Sequence, residues 1–248
     1  MKFAIVGLKR TGSSYLVNLL GSHPQIHCCG EIFNPDGVNL RWPKEAGGRR
    51  AARELESELE ALRGTDPVTF LERVYTTDFG RPVVGFKIFK NHHPKMLAHI
   101  LADRTIAKIV HRRANGLARF ASALAKQLVG NAGRHAEKPP VAFDAARFAP
   151  FHREHATFFD ETEQLLAASG QVFHRSRFEE LNNPARLMDM LNFLCVAPEL
   201  PPLQEPPPNR GSSDVLSRFS NPEAAEAYLR DHDLMHWVRE GETPFTPI

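Results

Sequence analysis

Short, strongly apolar runs alternate along the chain with longer segments in which apolar residues recur at helical spacing. The runs at residues 3–8, 82–89, 105–111 and 171–174 are bounded by turn-forming residues, which is typical of buried strands. Helical patterns follow them, at residues 14–20, 45–63, 67–76, 94–102, 115–128, 150–169 and 184–196, with short helices after residue 212. This alternation predicts an α/β fold with a central parallel sheet flanked by helices.

The length of the chain favours one elaborated domain. Its 248 residues, 42% of them hydrophobic, are enough for one sizeable core. We therefore predict a single domain over residues 1–248, with less patterned insertions near 35–78 and 130–159. Six prolines between residues 198 and 208 predict an extended segment there.

The charge balance limits the classes of partner that the protein can bind. With 31 basic and 29 acidic residues the net charge is +2, which argues against a nucleic-acid partner and requires any anion to be bound locally. The three cysteines form no C-x-x-C pair, so we expect neither a disulfide framework nor a metal site. The apolar start is too short for a signal peptide, and no run approaches a membrane span, so we expect a cytoplasmic protein. The sequence does not indicate an oligomeric state.

A phosphate-binding loop is nearly complete after the first predicted strand. Residues 7–14 read G-L-K-R-T-G-S-S, the G-x-x-x-x-G frame with Ser14 in the Ser/Thr position but Ser13 in place of the lysine. A strand, a loop and a helix in this order let backbone N–H groups bind an anion. Lys9 and Arg10 place cations inside the loop.

Two further cations extend this pattern. An NTPase would need a carboxylate for Mg²⁺ on a neighbouring strand, but the strand at 82–89 carries Lys87. The third strand ends at Arg113, and Ser122 lies about 10 Å along the helix that follows. We therefore predict magnesium-free chemistry on a ligand with phosphates at two separated positions.

The residues resemble sulfotransferases that use 3′-phosphoadenosine 5′-phosphosulfate (PAPS). R-T-G-S-S-Y-L at 10–16 is similar to that family's 5′-phosphosulfate loop, K-S-G-T-T-W-L, and R-R-A-N-G-L through Ser122 is similar to the 3′-phosphate segment of the bacterial branch. H-P-Q-I at 23–26 and G-E-I-F-N at 30–34 resemble the carbohydrate and nodulation-factor enzymes. F-E-E-L at 178–181 and F-L-C-V at 193–196 resemble the family's Y-E-x-L and F-L-G-V. The C-terminal Arg-Lys-Gly motif of the animal enzymes is missing, and Arg210-Gly211 is the candidate substitute.

This resemblance implies PAPS as the sulfuryl donor and a hydroxyl of a carbohydrate, glycolipid or other small molecule as the acceptor. It also implies which residues bind the donor. The 3′-phosphate would be held by Arg113 and Ser122, and the 5′-phosphosulfate by Arg10, Thr11, Gly12, Ser13, Ser14 and Tyr15.

The resemblance leaves two candidates for the general base. Glu31 matches the acid of the bacterial and carbohydrate enzymes, whereas K-N-H-H-P at 90–94 resembles the animal K-T-H-x-P segment and points to His92. Lys87 would balance charge at the sulfur. A Mg²⁺-dependent kinase and a non-catalytic nucleotide-binding scaffold remain alternatives. His152 and His155 are interpreted as a solvated helix face.

Overall fold

A computed structural model describes residues 1–41, 49–130, 139–199 and 213–240. The strands are β1 (Lys2–Gly7), β2 (Ile26–Cys28), β3 (Val83–Phe89), β4 (Ile106–Arg112) and β5 (Phe173–Arg177). The helices are α1 (Ser13–Gly21), α2 (Arg49–Thr65), α3 (Pro67–Thr76), α4 (Pro94–Ala102), α5 (Gly116–Val129), α6 (Ala145–Ala168), α7 (Pro184–Phe193) and α8 (Pro222–Asp231). The strands of this part of the chain pair in parallel in the order β2-β3-β1-β4-β5, which confirms the predicted α/β fold.

Each face of the sheet is covered by its own apolar cluster. Side chains of a strand alternate between the two faces, so Val84, Phe86 and Ile88 pack in one cluster with α3, α4 and α6. The opposite face packs against α1 and α7. On that face Gly85 leaves room for the ring of Phe3, which would lie 2.3 Å from an added Cβ. The Phe3 ring belongs to the same cluster as the buried side chains of α1.

A third cluster joins α5, the beginning of α6 and α8. Trp237 is 5% exposed and packs over Gly116 at the start of α5, where it would meet an added Cβ at 2.9 Å. The side-chain amide of Asn115 donates to the Trp237 carbonyl at 2.9 Å. The segment after α8 is therefore fixed to the amino end of α5.

The structure corrects three element predictions. β2 was not predicted, because it has only three residues; among the described strands it lies at the edge of the sheet, beside β3. α6 begins at Ala145 rather than near Pro150, since the carboxylate of Asp144 accepts from the N–H groups of the first turn; Pro150 lies inside the helix. β5 begins at Phe173 rather than at residue 171, because the Gln171 N–H still bonds the Leu166 carbonyl at the end of α6.

Parts of the predicted insertions fall within the described residues and include α2, α3 and the first half of α6. The prolines from 201 to 208, and Arg210 and Gly211, lie outside the described residues. The single-domain organisation stays a prediction. None of the described helices combines the length and apolar composition needed to cross a membrane.

Candidate active site

The predicted site residues gather at the carboxyl edge of the sheet. In a parallel sheet the loops that follow the strands meet at this edge. The loop after β1 carries Arg10 and Gly12, the one after β3 carries His92, and the one after β4 begins at Arg113. Residues distant in sequence therefore lie side by side because β1 pairs with both β3 and β4.

The loop between β1 and α1 is hydrogen-bonded to a buried histidine of β4. The ring of His111 donates from Nε2 to the Thr11 carbonyl at 3.0 Å, and its Nδ1 lies 3.0 Å from Ser176 Oγ. Burial lowers the pKa of His111 to about 4, so the ring is neutral near pH 7. The Thr11 hydroxyl donates to the Leu8 carbonyl at 2.9 Å. These contacts fix the backbone of the loop.

Gly12 begins α1 in a conformation that other residues avoid. Its φ is 81°, in the left-handed region, and it is the residue that precedes the first turn of α1. The ring of Phe178 lies against it, 2.1 Å from the position that a Cβ would occupy. Both the backbone and the packing therefore require glycine here.

We expect Gly12→Ala to destabilise the protein by about 2 kcal/mol or more, since the left-handed backbone and the Phe178 ring both oppose a Cβ. The matched control is Gly21→Ala in the same helix, because a Cβ at Gly21 meets nothing within 4 Å. Thermal unfolding checks the difference. Equal unfolding temperatures for the two variants would show that the loop yields to a side chain.

The loop residues differ in where their side chains lie. Tyr15 is 5% exposed and its hydroxyl contacts Asn182 Oδ1 at 2.6 Å, on the core side of α1. Thr11 and Ser13 are also buried. Ser14 is exposed at the start of α1 and accepts a hydrogen bond of 2.9 Å from Lys87 Nζ. Of these side chains, Ser14 is the one that faces the neighbouring strand β3.

Glu31, Lys87 and His92 form one contiguous group. Lys87 Nζ lies 2.9 Å from Glu31 Oε1, and His92 Nε2 lies 3.5 Å from Glu31 Oε2. Asn34 donates to the same Oε2 at 2.7 Å. Glu31 and His92, the two candidates for the base, therefore lie next to each other. The Glu31 carboxylate also connects through Lys87 to Ser14 at the start of α1.

The protonation states in this group follow from burial and from charge. Burial raises the pKa of Glu31, but the Lys87 ammonium, with His92 and Asn34, outweighs it and holds that pKa below its usual value. Burial lowers the pKa of His92 to about 4, although Glu31 opposes this effect. Near pH 7 the group consists of a carboxylate, an ammonium and a neutral imidazole.

The hydrogen bond that His92 accepts indicates whether His92 or Glu31 can accept a proton from the substrate. The Phe89 N–H donates to His92 Nδ1 at 3.4 Å, which places the ring proton on Nε2, the nitrogen that faces Glu31. His92 thus uses its lone pair on the backbone, while its buried Nε2, 3.5 Å from Glu31 Oε2, makes no hydrogen bond to the described residues. Glu31 is 23% exposed and keeps free lone pairs, so it is the better proton acceptor of the two.

The two predicted anion sites contact each other. Arg10 donates from Nε and Nη2 to Ser122 Oγ at 3.0 and 2.8 Å. Arg113 donates to the Arg10 carbonyl at 3.4 Å, and its guanidinium lies 4.7 Å from the centre of the Phe178 ring. Burial, with the nearby charge of Arg113, lowers the pKa of Arg10. The cations predicted to bind separate phosphates therefore form one cluster with Ser122.

The interpretation of His152 and His155 as a solvated face was wrong. His155 is 7% exposed, and burial lowers its pKa to about 2. His152 packs edge to face on Trp237, with ring centres 4.9 Å apart. Both rings therefore pack on aromatic neighbours, His152 on Trp237 and His155 on Phe159.

Arg119 was missed in the sequence. Its guanidinium lies 4.0 Å above the Phe151 ring, and its Nε donates to the Lys9 carbonyl at 3.3 Å. Burial lowers the pKa of Arg119 to about 10. Its spacing of three residues from Ser122 put it on the same face of α5 and could have indicated this position.

Comparison with known proteins gives the family. The profile described as "Sulfotransferase family" matches residues 3–202. A sulfotransferase from Alicyclobacillus acidocaldarius is 19% identical, with 96% of this chain and 98% of that chain covered and a TM-score of 0.46. The sulfotransferase domain from the curacin biosynthetic pathway is 18% identical, with coverages of 88% and 79% and a TM-score of 0.49. No curated protein matches the chain. On the sequence match over most of its length, this chain belongs to the sulfotransferase family.

Proposed function

We propose that this protein transfers the sulfuryl group of PAPS to a hydroxyl of a carbohydrate or other small-molecule acceptor. The observation that carries the proposal is the continuous contact from Ser14 through Lys87 to Glu31. It connects the end of the anion-binding loop, at the start of α1, to a charged carboxylate. Sulfuryl transfer needs both, a cation at the group in transfer and a base at the acceptor.

The residues present fit a nucleotide with phosphates at both positions. The amino end of α1 offers backbone N–H groups and the positive end of the helix dipole to the 5′-phosphosulfate. Thr11, Ser13 and Tyr15 have buried side chains and would act through their backbone. Arg113 and Ser122 would hold the 3′-phosphate, and Arg10, which contacts both, would connect them to the 5′-phosphosulfate loop. PAPS, when bound, supplies the activated sulfuryl group.

Glu31 and Lys87 divide the work of transfer. The Glu31 carboxylate accepts the proton of the acceptor hydroxyl as its oxygen bonds to sulfur, while the bond from sulfur to the phosphate oxygen breaks. The Lys87 ammonium neutralises negative charge on the transferring group and on the leaving phosphate. His92 lies beside Glu31, with Nε2 3.5 Å from Oε2, and is a positioning residue. An acceptor from the carbohydrate class follows only from the resemblance of residues 22–34.

The Mg²⁺-dependent kinase is disfavoured by the position of Lys87. The Ser14 hydroxyl and the Glu31 carboxylate are the kind of oxygen ligands that Mg²⁺ prefers. The Lys87 ammonium already lies 2.9 Å from both. A divalent cation at this place would be repelled by the ammonium.

Calorimetry with 3′-phosphoadenosine 5′-phosphate tests the nucleotide assignment. We expect this product nucleotide to bind with a Kd in the micromolar range or below and AMP to bind at least about tenfold more weakly, because AMP lacks the phosphate that Arg113 would hold. EDTA should change neither value. Tighter binding of ATP with Mg²⁺ than of the bisphosphate would favour the kinase, and nucleotide binding without transfer to any acceptor in a broad panel would favour the scaffold.

A further inference from the structure

Arg113, the residue proposed to bind the 3′-phosphate, is already bonded to a carboxylate. Its Nε donates to Glu240 Oε1 at 2.6 Å, and its Nη2 donates to the same oxygen. Arg218 Nη2 donates to Glu240 Oε2 at 2.5 Å. The three side chains are 7%, 13% and 11% exposed for Arg113, Arg218 and Glu240, so two guanidinium groups enclose one carboxylate away from bulk water.

The carboxylate comes from a segment that its own contacts hold in place. The Glu240 N–H bonds the Ser213 carbonyl at 2.9 Å, and the Val215 N–H bonds the Val238 carbonyl at 2.8 Å. Trp237, three residues before Glu240, is buried over Gly116. Arg218 and Glu240 both lie beyond residue 202, where the family match ends. This segment therefore holds the Glu240 carboxylate beside Arg113, just before α5.

The two guanidinium groups bonded to Glu240 can also bond an anion with more oxygens than a carboxylate. Burial raises the pKa of Glu240, but Arg113 and Arg218 outweigh it, so the carboxylate is charged near pH 7. Glu179, whose carboxylate accepts from the N–H groups of Ala114 and Asn115, is a second acidic group near Arg113. A terminal phosphate carries up to two charges and three oxygens, and it can accept from both guanidinium groups where Glu240 offers one oxygen to each.

We propose that Glu240 holds the position of the 3′-phosphate between Arg113 and Arg218, so that nucleotide binding exchanges the carboxylate for phosphate and makes Arg218 a further 3′-phosphate-binding residue. The inference rests on the proposed function, since it takes a nucleotide with a 3′-phosphate as the ligand. Every such nucleotide competes with Glu240. AMP does not, because it has no group for this position.

Glu240→Gln is the first variant that tests the exchange. The amide keeps the shape of the side chain but loses the charge that competes with phosphate. We expect the Kd for 3′-phosphoadenosine 5′-phosphate to fall by about tenfold, while the Kd for AMP changes less than about twofold. The control is Glu226→Gln, which removes an exposed carboxylate bonded to Arg230 in α8. It should change neither value.

Arg218→Gln tests the second half of the proposal and is read in the Glu240→Gln background, where it no longer also releases the carboxylate. There we expect the affinity for the bisphosphate to fall by about tenfold and that for AMP to stay unchanged. An unchanged affinity would show that Arg218 serves only to hold Glu240, and it would overturn this assignment.

A measurement on otherwise unaltered protein covers the case in which Glu240→Gln does not fold. Trp42→Phe leaves Trp237 as the sole tryptophan, because the chain has two. We expect 3′-phosphoadenosine 5′-phosphate, but not AMP, to change its emission. Measurable binding of the bisphosphate with an unchanged Trp237 signal, or with unchanged affinity in a folded Glu240→Gln variant, would overturn the exchange alone. Absence of any bisphosphate binding in wild type and variants would instead overturn the proposed function.

Discussion

Glu31→Gln is expected to lower the rate of sulfuryl transfer by about 10²- to 10⁴-fold, the usual contribution of a positioned general base. Glutamine has nearly the same shape and still accepts a hydrogen bond from Lys87, but it cannot take the proton of the acceptor hydroxyl. The affinity for 3′-phosphoadenosine 5′-phosphate should change only a few-fold. Transfer of a radiolabelled sulfuryl group from PAPS to the best acceptor of a panel, with calorimetry alongside, measures the two quantities.

Two further variants make this result specific. His92→Ala should lose less than about tenfold, since His92 lies beside Glu31 as a positioning residue and does not accept the proton. Glu72→Gln removes a partly exposed carboxylate, bonded to Lys2 at 2.7 Å, and serves as the matched control. A larger loss of transfer rate in His92→Ala than in Glu31→Gln would show that His92 is the base and that Glu31 is the positioning residue.

Lys87→Met is expected to lower transfer by about 10²- to 10³-fold, as for loss of a group that stabilises charge in the transition state. It should also move the pH–rate profile. In the wild type Lys87 helps to hold the pKa of Glu31 below its usual value of 4.5. Without the ammonium, burial remains and raises that pKa, so the acid limb of the profile should shift to higher pH.

The direction of this shift distinguishes Lys87 from a merely structural residue. Lys87→Arg keeps the charge and should keep the acid limb near the wild-type position, even if the longer side chain lowers the maximal rate. Unfolding temperatures of both variants report any loss of stability from the buried carboxylate. An acid limb that stays in place in Lys87→Met would separate the ammonium from Glu31 and overturn the proposed pairing.

The helices and strands that depend on a local sequence pattern were predicted from the sequence. α3 and α4 begin where predicted, because Pro67 and Pro94 stand at their first positions and Asp66 and His93 accept from the N–H groups of the first turn. The apolar runs of β1, β3 and β4 likewise have few alternatives to a buried strand. β2 lacked such a signal, since three residues do not establish a period of two.

The candidate site residues could be named from the sequence, but their arrangement could not. Glu31 and His92 were alternative bases because Glu31 matches a motif of the bacterial enzymes and His92 a motif of the animal enzymes. The sequence alone does not show that the two side chains are neighbours. Their proximity depends on β2 and β3 lying next to each other. The contact of Arg113 with Glu240 spans 127 residues and a segment without a strong pattern, so only the fold reveals it.

The ring of Phe178 lies between the two regions proposed to bind the 5′-phosphosulfate and the 3′-phosphate. One face of the site's backbone, at Gly12, and the guanidinium of Arg113 both rest on this ring. The ring has little room to move on the Gly12 side, so a shift of Gly12 would press on the ring that also contacts Arg113. Under the proposed function, binding of the 5′-phosphosulfate and binding of the 3′-phosphate would therefore be linked by a coupling free energy that belongs to neither phosphate alone.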